Sequence, residues 1–199
     1  MAFYLISNIH VNALKLVQQF NIQFDPEKHN LLNLIHKNNL DGIKYLVSLN
    51  IDIRSQNDYA LQFAARSGQL VKYLVSLGLD IQSMDNNAVQ LACAKGHFEV
   101  VRYLVSLGAD IRANDNRALK AASCLGHLEL VKYLVMLGAD IRSEDNYAIR
   151  YASVYGKLDV VKYLVSRGGD IRARGNFAYK LANLYGRADV VMFILSLSH

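Results

Sequence analysis

A period of thirty residues governs this chain. Tyr45, Tyr73, Tyr103, Tyr133, Tyr163 and Phe193 follow one another at spacings of 28, 30, 30, 30 and 30. Glycines keep the same time at Gly68, Gly96, Gly126, Gly156 and Gly186, and Asp-Ile pairs begin at Asp52, Asp80, Asp110, Asp140 and Asp170. Each unit reads roughly D-N-x-A-x-x-x-A-x-x-x-G-x-x-x-V-V-K-Y-L-V-S-L-G-A-D-I-R. Such a period marks an array of supersecondary units, none of which can bury its apolar face alone. The start of the chain is in register too: LKLVQQFNIQF at 14–24 superimposes on IKYLVSLNIDI at 43–53. The reading is a degenerate N-terminal capping unit over 1–28, then repeats over 29–56, 57–85, 86–115, 116–145 and 146–175, then a C-terminal capping unit over 176–199. These form one continuous domain whose end units are atypical, as caps are.

Residues 116–143 show what a unit must be. Asn116 and its equivalents Asn86, Asn146 and Asn176 stand before a short helix and are expected to cap it, a side-chain oxygen reaching a free backbone N–H. Gly126 ends that helix, where a left-handed residue is tolerated. Leu130, Val131, Leu134 and Val135 then give a second helix an apolar face. An acid opens this helix at Glu99, Glu129, Asp159 and Asp189, suiting its positive end. The fold class is therefore all-α, a solenoid of about seven stacked helix-turn-helix units. One unit is irregular: Gly68 precedes Tyr73 by five residues, whereas Gly96 precedes Tyr103 by seven. The spacing predicts a shortened second helix near 70–77 and a local stacking fault.

Composition removes several classes. With 52% hydrophobic and 20% charged residues the chain is too apolar for disorder. No run of 18 apolar residues exists to span a membrane. The first twenty residues lack a basic start and a cleavage site, so no secretory signal is read and an intracellular, cytoplasmic location is expected. The formal net charge of +5 lies wholly in residues 112–199, with thirteen Lys/Arg against eight Asp/Glu, while residues 1–111 balance at nine and nine. A basic half can attract a polyanion, and nucleic-acid binding through it is the alternative function, but the excess is small beside the clusters of nucleic-acid readers.

The motifs G-H-L-E at 126–129, V-K-Y-L-V at 131–135 and G-A-D-I at 138–141 resemble the ankyrin repeat. The resemblance covers roughly 29–199 and recurs five times in register. The family's usual period is 33 and its T-P-L-H signature is absent, Arg117 and Ala118 standing where Thr and Pro would be. Three residues are missing before the first helix, so the finger hairpin is expected as a clipped loop. This 30-residue form resembles the ankyrin proteins of giant amoebal viruses, which implies a host protein as target. Some viral ankyrin proteins add an F-box; with the array running to the C-terminus, none is expected here.

The search for chemistry yields little. His97 and His127 hold one repeat slot, about 10 Å apart by helix packing, too far to share a metal. Cys93 and Cys124 have no C-x-x-C partners and read as reduced thiols. No nucleophile elbow, zinc motif or phosphate loop is present, so no catalytic, cofactor or metal residues are assigned and no enzyme is expected. The tyrosine column reads as packing with its hydroxyls toward solvent, and the Asp and Arg columns as a polar ladder at the turns.

Binding is expected on the concave face, which the family builds from fingers and first helices. Positions there differ between units against a fixed background. In the C-terminal units they bring Tyr147, Tyr155, Phe177 and Tyr185, with Arg117, Leu125, Arg150 and Arg174 beside them. Exposed aromatics with Arg have the composition of interface hot spots. The partner is expected to be a protein, and the chain a monomer or weakly self-associating through its C-terminal unit, where Met192 and Phe193 replace the usual Lys and Tyr.

Overall fold

A computed structural model describes residues 34, 38–48, 60–61, 64–65 and 68–197. The unit read over 1–28 lies outside them. Two kinds of helix occur. Second helices of nine residues each are α1 (Leu40–Ser48), α2 (Gly68–Ser76), α4 (Phe98–Ser106), α6 (Leu128–Met136), α8 (Leu158–Ser166) and α10 (Ala188–Ser196). First helices are α3 (Ser83–Lys95), α5 (Ala113–Leu125), α7 (Ser143–Val154) and α9 (Ala173–Leu184). Among the described residues there is no strand. Helices of nine residues do not persist alone in water. Each is held by a buried face: Val101 and Leu104, Val131 and Leu134, Val161 and Leu164 are all fully shielded.

The solenoid follows from side-chain size. Ala88, Ala92, Ala118, Ala122, Ala148, Ala152, Ala178 and Ala182 line the first helices and are buried. They let α3, α5, α7 and α9 approach one another closely, whereas the larger side chains of the second helices hold α8 and its neighbours further apart. The stack therefore bends toward the first helices, which form its concave side.

Two expectations need correction. The Asn slot does not cap its helix. Asn86, Asn116 and Asn146 have φ near +60°, at the end of a left-handed turn that includes 84–85, 114–115 and 144–145. Each side chain reaches the next unit instead: the backbone N–H groups of Asp110, Asp140 and Asp170 donate to Asn86, Asn116 and Asn146 Oδ1, each at 2.8 Å. A left-handed residue costs about 1–2 kcal/mol, least for Asn and Asp, whose short polar chains bond locally. That preference and the brace explain the slot together. Gln90 Nε2 donates to the Asp85 carbonyl at 2.6 Å, and Arg150 Nε to that of Asp145 at 2.8 Å, so two units staple the turn from inside.

The irregular unit does not lose helix. α2 has the length of its neighbours and packs on α4 as α8 packs on α10. Leu70, Val71 and Leu74 are fully buried at the register of Val100, Val101 and Leu104, thirty residues on. Ala60, Leu61, Ala64 and Ala65 are buried like Ala88, Val89, Ala92 and Cys93, twenty-eight residues on. The missing two residues fall between the helices. A connection buries little and yields first; an apolar helix face must be covered.

Units are joined at three further places. Asp80, Asp110, Asp140 and Asp170 accept from the N–H two residues on, shaping the inter-unit corner. From it Gln82 Nε2 and Arg142 Nε reach the carbonyls of Gly108 and Gly168, both at 3.3 Å. His127 Nε2 lies 3.1 Å from the Ala94 carbonyl and Arg187 Nε donates to that of Val154 at 3.0 Å. The half-buried tyrosines receive cations from the preceding unit, Lys44 over Tyr73 and Lys72 over Tyr103, and Phe193 receives Lys162. Burial raises the Tyr73 pKa.

Candidate functional site

The concave side of the last units carries an aromatic platform. Tyr147 and Tyr151 on α7 and Tyr155, which caps its C-terminal end, stand at i, i+4 and i+8 and so share one side. Tyr147 stacks on Tyr151 with centroids 4.1 Å apart and planes at 17°. Tyr151 also meets Tyr155 at 6.5 Å and, across the unit boundary, Phe177 of α9 at 5.8 Å. The Arg150 guanidinium lies 5.0 Å from the Phe177 ring, 5.7 Å from Tyr151 and 5.8 Å from Tyr147. Its Nη2 donates to the Glu144 carbonyl at 3.0 Å. The cation ties three rings to the left-handed turn, and cation–π contacts strengthen when desolvated.

The expected site residues fall into three groups. Tyr147, Phe177 and Tyr155 meet in the platform, the first two half-buried and Tyr155 51% exposed. Arg117, Leu125, Arg174 and Tyr185 are exposed; Arg174 Nε pairs with Asp145 at 3.4 Å, and Tyr185 ends α9. Arg150 differs: at 2% exposure its guanidinium is an internal brace and faces no partner. Tyr151 was not singled out by the sequence, although the four-residue spacing of Tyr147, Tyr151 and Tyr155 was a signal for it.

Beside the platform, α5 and α7 enclose a groove of about 510 Å³ lined by Arg117, Lys120, Cys124, Glu144 and Tyr147. Lys120 Nζ is 2.8 Å from Glu144 Oε1 and 5.5 Å from the Tyr147 centroid, so the wall holds a neutralised ion pair. Burial, followed by the neighbouring Cys124, Tyr151, Tyr155 and Glu144, raises the Tyr147 pKa, and the hydroxyl stays protonated. Burial also pushes the Cys124 thiol up to about 11 and Cys93 to about 12, which suppresses the thiolate that nucleophilic or metal chemistry needs. Among the described residues no three His, Cys, Asp or Glu gather where they could hold a metal ion, and no helix is long and apolar enough to cross a membrane. The arrangement offers shape, apolar area and hydrogen bonds.

The family model for ankyrin repeats matches the chain in three overlapping copies, over residues 31–115, 61–145 and 118–199. No curated protein matches it. Ankyrin repeats are generally modules of protein–protein interaction and typically non-catalytic. With helix pairs, a left-handed glycine closing each described first-helix turn and a G-x-D-I corner in register from unit to unit, this chain belongs to the ankyrin-repeat family.

Proposed function

We propose that this chain is a non-catalytic scaffold that grips a segment of another protein across the concave side of its last three units. The observation that carries this reading is the platform of Tyr147, Tyr151, Tyr155 and Phe177, pinned by buried Arg150. Rigid aromatics lose little entropy on binding, so a platform already ordered binds at lower cost than loose side chains would. Tyr155, Tyr185 and Leu125 present the exposed apolar area, and Arg117 with Arg174 the polar rim. The resemblance to giant-virus proteins supports a host protein as target and the cytoplasm as location. The free cysteines suit a reducing compartment.

Polyanion binding through the basic half has less support. Arg142 and Arg187 donate to backbone carbonyls of neighbouring units, Arg150 is buried, and Lys120, Lys132 and Arg174 face carboxylates. Much of the +5 is therefore engaged within the fold. Affinity capture from host lysate at two salt concentrations, with mass spectrometry, tests both readings. The account expects a protein retained at high salt and lost by Tyr155→Ala/Tyr185→Ala. Undiminished capture by that folded double variant, or nucleic acid released by salt, would overturn it.

A further inference from the structure

The irregular unit lacks two side chains that its neighbours use at one place. α2 and α4 hold the same register thirty residues apart, so Gly68 stands in the slot of Phe98, Leu128 and Leu158, and Gln69 in that of Glu99, Glu129 and Asp159. In the following units these slots have work to do. Phe98 packs on the ring of the next unit's Tyr133, with centroids 5.3 Å apart. Glu99 Oε1 lies 3.7 Å from Arg102 Nη1 and Glu129 Oε1 2.8 Å from Lys132 Nζ, each cation standing three residues on in the same helix. Glycine brings no side chain to Tyr103, the ring that follows the irregular unit, and glutamine brings no charge to Lys72.

A cavity of about 410 Å³ opens at that place, between α2 and the start of α4. Val71, Phe98, Val100 and Tyr103 give it apolar walls, and Lys72 stands beside it with Nζ 5.7 Å from the Tyr103 centroid. Lys72 is exposed and, among the described residues, pairs with no carboxylate. Glu99 also lines the cavity, but its charge is taken by Arg102. Apolar walls with a few polar groups, in a volume of about 300–1,000 Å³, characterise small-molecule sites. We propose that this cavity binds a small aromatic carboxylate. Its ring seats against Tyr103 as Phe98 does against Tyr133, and its carboxylate meets the Lys72 ammonium as Glu129 meets Lys132. The ligand returns to the irregular unit the apolar group and the charge that its sequence omits. The site lies between second helices, apart from the concave platform, and does not rest on the function proposed for that platform.

Titration of phenylpropionate into the full chain, followed by NMR, tests it. Saturable shifts are expected at Val71, Val100 and Tyr103 and not at Tyr147 or Tyr151. Phenylpropionamide, with the same ring and no charge, is expected to bind severalfold more weakly, as is the acid to Lys72→Gln. Gly68→Leu supplies the side chain that Leu128 and Leu158 carry in that slot. It is expected to abolish binding and to raise the melting temperature of the free protein. Circular dichroism identifies folded variants, and the amide needs no variant at all. No saturable shift in the parent, shifts spread along the whole array, equal binding of acid and amide, or undiminished binding to folded Gly68→Leu would overturn the proposal.

Discussion

Asn116 does two things with one side chain. It tolerates the left-handed turn, and its Oδ1 accepts the Asp140 N–H of the next unit. Asn116→Ala removes the acceptor and strands a partly buried donor, at a cost of about 1–3 kcal/mol. Asn176→Ala leaves no such donor stranded among the described residues and is expected to cost less. Urea denaturation of the two variants checks this; equal losses would mean that the brace contributes nothing. Cys93 supplies a pH test. Its pKa is raised by burial from 9.0 to about 12, so the native thiol stays neutral where the unfolded one ionises. Its contribution is full below pH 9.0 and is lost as pH rises toward about 12. Cys93→Ala is expected to flatten the alkaline fall in stability; an unchanged slope would contradict the burial.

At the scale of elements, the second helices were plain in the sequence because Val, Lys, Tyr, Leu, Val at helical spacing admit one face only. The left-handed turn was not, because Asp-Asn before an apolar run has the composition of a helix cap, and both uses draw on the same short polar side chain. Spacing in the irregular unit gave the size of the deletion but not its place; burial of Leu70 and Leu74 decides that. The platform was half legible. Tyr147, Tyr155 and Phe177 stood out as departures from the repeat, but the same logic made Arg150 a surface residue, when its length takes it beneath the rings. Glycine at the end of the first helix serves two ends that substitution separates. Gly96→Ala meets both a φ of +76° and the His127 ring, whereas Gly186→Ala meets only a φ of +66°. The second should cost about 1–2 kcal/mol, the first clearly more. Thermal unfolding measures the gap, and equal losses would remove the close approach from the account.

For the whole molecule, stability is a sum of unit and neighbour terms along a line. Small alanines inside and larger side chains outside set the curve of that line, and the curve leaves a concave side whose residues vary from unit to unit. The platform occupies that freedom. The stack that carries it rests on the claim that no helix pair is stable without those beside it. Native-state hydrogen exchange on Leu134→Ala tests this most directly. Leu134 is fully buried in α6, and its truncation costs about 2–5 kcal/mol. The account predicts faster exchange in α5 and α6 and also in α3, α4, α7 and α8 on either side. Loss of protection confined to α5 and α6 would contradict it.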